Sequence, residues 1–150
     1  GIVTEPYLSM VAFIDSPLCE LMEKEEGSSE EEYSIVYGRA CGNRIACVSL
    51  VDCVTFKDLL CVTLHELLHT VGFDHCNSWR CLMNATGSDS WIFLSPVNLR
   101  KLKVFHDIDD SNTSFIVERY EKLRELLVLW QDSQFNRELT WLEEKLTIMK

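Results

Sequence analysis

Residues 55–75 read TFKDLLCVTLHELLHTVGFDH, and their spacing decides the fold. Apolar residues at 56, 59, 60, 64, 67, 68 and 71 recur at helical intervals, which predicts one amphipathic helix over 56–71. Thr55, three residues ahead of Asp58, reads as a capping pair at its start. Gly72 reads as its stop, because glycine enters left-handed backbone without a Cβ penalty. Leu67, Leu68 and Val71 are expected to face the core.

The same stretch carries the chemistry. His65 and His69 are four apart, so they project from one helix face one turn apart and can share a metal ion. Glu66 lies slightly round the helix, in reach of a water on that metal without being a ligand. The turn at Gly72 lets His75 return as a third ligand. Three neutral imidazoles leave a fourth position open, which distinguishes a catalytic zinc from a structural one. Glu66 is then placed as the general base. With Gly72 and His75 included, chance produces the pattern in on the order of one chain in a hundred thousand. The remaining histidine, His106, sits in a polar stretch and reads as a surface residue. Asp74, between two ligands, is a candidate to orient an imidazole, or a solvated loop residue.

Outward from this helix the signals weaken. Residues 7–14 (YLSMVAFI), 33–40 (YSIVYGRA) and 45–51 (IACVSLV) read as strands. The last two are joined by a turn at 41–44 whose length suits a hairpin. Residues 16–32 end in an acidic run and read as a surface loop or frayed helix. Residues 73–98 show little period and read as irregular. Helical stripes return over 115–130 and 135–149, and no internal repeat is visible.

The whole chain bounds the reading further. Its 150 residues suit one domain, with an upper part over 1–72 and a mostly helical lower part over 73–150. Net charge is −10, which disfavours nucleic acid and anionic membranes, since both call for basic patches. No apolar run reaches the length of a membrane span. The first residues lack a basic start followed by an apolar stretch, so no signal peptide is expected. The chain opens at Gly1, so a processed product or a fragment that lost an upstream signal is equally expected. Seven cysteines, an odd number with several in apolar stretches, point to a reducing, intracellular compartment, cytoplasmic or nuclear.

The run HELLHTVGFDHCNSWRCLM (65–83) carries HExxHxxGxxH and continues directly into Cys76, Cys81 and Met83. In this it resembles the archaemetzincin family of the metzincin zinc peptidases, close to its eukaryotic members. LSPVNLRKL (94–102) is similar to that family's LCPxCLxKL stretch, and SFIVERYEKL (114–123) to its following helix. YSIVYGRA (33–40) is similar to its strand before the active-site helix. The resemblance covers residues 33–125.

The resemblance implies an α+β, metzincin-like fold. A small twisted mixed sheet packs on the active-site helix, a mostly helical C-terminal part follows, and the zinc lies in the cleft between. His65, His69 and His75 match the zinc ligands, Glu66 the general base, and Met83 the methionine beneath the site. Family members also hold a structural zinc between four thiolates, a C-x4-C pair and a later CxxC. Here the first pair is Cys76 and Cys81, but Ser95 and Asn98 replace the second. Serine and asparagine are poor zinc ligands, so one catalytic zinc and no structural zinc are expected. Residues 84–98 must then be held by packing of Trp91, Phe93 and Leu94. The strand and helix that open other metzincins are not placed in this sequence, so a truncated or divergent front is expected. The implied function is a monomeric peptidase, aminopeptidase-like on short peptides. The alternative is a zinc-binding but inactive relative that acts through interactions. An edge strand on the cleft rim, over 45–51, is expected to pair with an extended peptide.

Overall fold

The structure, a computed structural model, describes residues 9–22, 32–42, 44–85, 91–109 and 114–149. Five short strands come first: β1 (Met10–Ile14), β2 (Leu18–Leu21), β3 (Tyr33–Val36), β4 (Gly38–Cys41) and β5 (Ile45–Ser49). Four helices follow: α1 (Phe56–Thr70), α2 (Pro96–Phe105), α3 (Ser114–Trp130) and α4 (Asn136–Met149). A short 3-10 helix, Ser133–Phe135, leads into α4. The architecture is α+β. No described helix is long and apolar enough to cross a membrane.

The strands form two sheets. β5 lies between β1, which runs parallel to it, and β4, which runs antiparallel. β2 and β3 form a separate antiparallel ribbon. Several sequence expectations change here. The stretch read as loop or frayed helix contains β2, because Leu18–Leu21 finds a partner in Tyr33–Val36; residues 23–31 lie outside the described residues. The strand expected over 33–40 breaks at Tyr37, and its halves belong to different sheets. Alternation of side chains is the same on both sides of such a break, so periodicity does not mark it. Residues 45–51 do not form an edge: β5 is the central strand, and β1 and β4 are the edges. The strand expected over 7–14 is seen as β1; residues 7 and 8 lie outside the described residues.

α1 keeps its predicted limits for the predicted reasons. Thr55 and Asp58 form a reciprocal capping box, and Gly72 adopts φ +87° after the last turn. The helix packs across β4 and β5. Its opposite side, through Cys61, Leu60, Leu64 and Leu68, joins a core built with Leu82, Phe93, Leu127, Phe135 and Leu142. Lys57 of α1 meets the fully buried Glu138 of α4 at 2.6 Å. Of the segment expected to be held by packing, residues 86–90 lie outside the described residues; beyond them Ile92 and Phe93 are buried, and Trp91 and Leu94 pack against the same core. Irregular structure ends earlier than expected, because Ser95 caps α2 and Pro96 occupies its first turn, where a missing N–H costs nothing.

Candidate metal centre

α1 sets two of the three histidines, and the turn after it sets the third. The chain leaves the helix with Gly72 N–H and Phe73 N–H donating back to His69 O and Leu68 O, both at 3.1 Å. The Phe73 ring is buried with Cys81 and Met83, which anchors this reversal. Cys76 N–H donates to Met83 O at 2.7 Å, and the Asn84 amide donates to Cys76 O and Trp79 O at 3.2 Å. His75 is thereby returned to the helix face that carries His65 and His69.

The three Nε2 atoms form a triangle with sides 3.0, 3.2 and 3.2 Å. Backbone carbonyls fix the tautomers of the first two rings. His65 Nδ1 donates to Leu82 O at 2.8 Å, and His69 Nδ1 donates to Phe73 O at 2.6 Å. With the proton on Nδ1, each Nε2 presents a lone pair. Lone pairs 3.0 Å apart repel unless a cation lies between them. The three histidines lie close enough to hold a metal ion. A tetrahedral ion with bonds of ~2.0–2.1 Å places its donors about 3.3–3.4 Å apart. The observed triangle needs only a few tenths of an ångström of adjustment.

Burial also favours the neutral form of two of the rings, His65 and His75. Desolvation lowers the His65 pKa against a smaller opposing effect of the Leu82 hydrogen bond. Desolvation lowers that of His75 too, reinforced by His69 and His65. A neutral imidazole is the form that binds metal.

Glu66 faces the sheet side of the same cleft and is 8% exposed. Desolvation raises its pKa, opposed by His69, by a hydrogen bond from the Ala40 backbone N–H, and by His75 and Arg39. Gly38 makes room for it. A Cβ there would lie 2.6 Å from Glu66 Cγ and 2.8 Å from Val62 Cγ1. The cleft has a volume of about 980 Å³ and contains all three histidines, Glu66 and the edge strand β4. Tyr37 O accepts from Ser49 N–H at 2.9 Å. Antiparallel alternation therefore turns the backbone groups of Gly38 and Ala40 away from β5.

The sequence located His65, Glu66, His69 and His75. It missed Gly38, Leu82 O and Phe73 O. A lone glycine in a strand is a signal of close backbone approach that was available for Gly38. The carbonyls leave no mark in side-chain identity. Asp74 is exposed, and carbonyls orient His65 and His69. Met83 is fully buried beside Phe73, directly after the residue that holds His65. His106 is exposed, as expected for a surface residue.

Cys76, Cys81 and Ser95 also come together. Burial pushes the Cys76 thiol up, but hydrogen bonds with Ser95, Cys81 and the backbone of Ser78 and Trp79 outweigh it and leave its pKa lowered. Cys81 is raised, chiefly by burial. The Ser95 hydroxyl accepts from Asn98 N–H at 3.2 Å as the cap of α2. Asn98 Nδ2 is buried without an acceptor among the described residues. Comparison with family models, curated proteins and solved structures gave no match for this chain.

Proposed function

We propose that the chain is a zinc-dependent metallopeptidase of the metzincin type, similar to the archaemetzincins, that hydrolyses peptide bonds. One observation carries the reading: three Nε2 atoms converge in a cleft that also holds a buried carboxylate and an edge strand. His65, His69 and His75 would hold the zinc. Three imidazoles are a donor set that suits zinc and leaves one position open. When bound, zinc supplies a Lewis acid and an acidified water.

The protein's own groups do the rest. Glu66 takes the proton of the attacking water and delivers it to the leaving amine nitrogen. Its raised pKa brings the carboxylate nearer neutrality, which favours both transfers. The outward backbone groups of Gly38 and the carbonyl of Ala40, whose N–H bonds Glu66, can pair with an extended substrate, which lays the peptide along the cleft. On the cleft wall Glu20 is paired with Arg39 at 2.7 Å, which leaves Asp52 as the carboxylate that could meet the α-ammonium of a short peptide. The Cys76, Cys81, Ser95 and Asn98 cluster remains without metal in this reading, because two thiols do not close a tetrahedral site. The expected setting is intracellular, with the chain acting as a monomer.

Glu66→Gln tests the reading. Wild type is expected to bind one zinc and cleave a short peptide with a free N-terminus. The variant is expected to bind the same zinc with cleavage reduced about 10²–10⁴-fold. One zinc in both and cleavage in neither would favour the interaction protein instead. Ser95 and Asn98, standing where the family has cysteines, are what keep that second reading in view.

A further inference from the structure

A second cavity, of about 500 Å³, lies between the end of α2 and the first turns of α3, and it shares no lining residue with the histidine cleft. That volume accommodates a small organic ligand. Leu102, Ile108, Leu123 and Leu126 give it apolar walls. Among them stands Arg119, which is partly buried. Its Nη1 is enclosed and has no hydrogen-bond partner among the described residues.

A buried cation without an anion is costly, and a guanidinium cannot escape that cost by losing its proton. Desolvation lowers the Arg119 pKa; Tyr120 opposes this, and no carboxylate does. Glu118 lines the same cavity, but it is exposed and does not offset the charge. Elsewhere the fold does pair its buried ions, as where Lys57 meets the fully buried Glu138 at 2.6 Å. Lys122, which is exposed, adds a second positive charge to the lining. Guanidinium charge is delocalised over three nitrogens, so an anion in the cavity compensates it without reaching Nη1 itself. One unpaired cation among aliphatic side chains complements one carboxylate on a short apolar body.

We propose that this cavity binds a small aliphatic monocarboxylate, its carboxylate at Arg119 and its chain against the leucines. The site is separate from the metal centre and does not depend on peptidase activity. The experiment titrates the full chain with hexanoate and follows backbone amide and arginine Nε–H signals by NMR. Saturable shifts are expected at the end of α2 and in α3, Arg119 included. A carboxylate can also ligate zinc, so these shifts must be the same with and without that metal. Hexanol, neutral and of the same length, should bind about tenfold more weakly. Butanoate, two methylenes shorter, should bind about fifteenfold more weakly.

Arg119→Met removes the charge and keeps an unbranched apolar chain. It should weaken hexanoate about tenfold or more and leave hexanol bound as in wild type. Circular dichroism checks the fold. Should that variant not fold, Lys122→Glu at an exposed position must weaken hexanoate about threefold and leave hexanol unchanged. No saturable shift in α3 would overturn the proposal. So would hexanol binding as tightly as hexanoate, or wild-type hexanoate affinity in a folded Arg119→Met.

Discussion

Two polar clusters, built by neighbouring stretches of one chain, behave in opposite ways. His65, His69 and His75 bring three Nε2 atoms together, with two of the rings anchored by carbonyls at their far side. Cys76, Cys81, Ser95 and Asn98 gather a few residues downstream, around the buried Phe73, Cys81 and Met83. There Ser95 bonds Cys76 and caps α2 at once, while Asn98 Nδ2 has no acceptor among the described residues. The two clusters differ in their donors: three imidazoles close enough to hold a metal ion in the first, two thiols with a hydroxyl and an amide in the second.

The largest expected effect comes from breaking the first cluster. His69→Ala removes one corner of the triangle and the ring anchored on Phe73 O. Zinc affinity, measured by competition with a chelator, should fall well beyond the roughly 10–100-fold that loss of an orienting contact costs. Acid should mimic it. His65 and His75 titrate below their usual 6.5 because burial disfavours the charged ring. Protons therefore compete only below that value, so zinc binding should hold between about pH 8 and about pH 7 and be lost on further acidification.

The contrast is sharpened by converting the second cluster. Ser95→Cys with Asn98→Cys completes a four-thiolate set beside Cys76 and Cys81. Bound zinc should rise from one to two per chain, and the melting temperature should rise on zinc addition. In the absence of zinc the loss of the Ser95 cap should cost about 1 kcal/mol. An unchanged zinc content would show that the four positions do not converge.

The apolar floor shared by both clusters comes next. Met83 is fully buried, so Met83→Ala should cost about 2–5 kcal/mol in denaturant unfolding. Gly38→Ala presses a methyl against Glu66 and Val62, and overpacking of this kind costs about 1–3 kcal/mol. Its informative readout is a loss of peptide cleavage at full zinc occupancy, because Glu66 moves and the histidines do not. The smallest effect is chemical. Burial pushes the Cys61 thiol up to about 12, so it should resist alkylation at neutral pH while the exposed Cys19 and Cys41 react. Mass spectrometry of the labelled peptides distinguishes them.

Much of α1 was legible, because helical periodicity, a capping pair and a glycine stop all agreed on one segment. The ligand set was legible for the same reason: a four-residue spacing on a helix fixes two side chains in space. The strands were legible only as strands. Nothing local distinguishes a central β5 from an edge β4, since sheet order is set by partners distant in the chain. β2 was hidden because its four residues, Leu18–Leu21, adjoin a charged run and acquire their pattern only beside β3. α2 was hidden because Ser95 and Pro96 looked like loop residues, although both suit a helix start. The carbonyls of Leu82 and Phe73 were beyond any reading of side chains.

The central claim is that the protein makes one metal centre and not two. Isothermal titration of metal-free protein with zinc, for wild type and His69→Ala, measures this directly. The account predicts one high-affinity equivalent per chain in wild type and its loss in the variant. Two equivalents in wild type, none, or one that survives His69→Ala would contradict it.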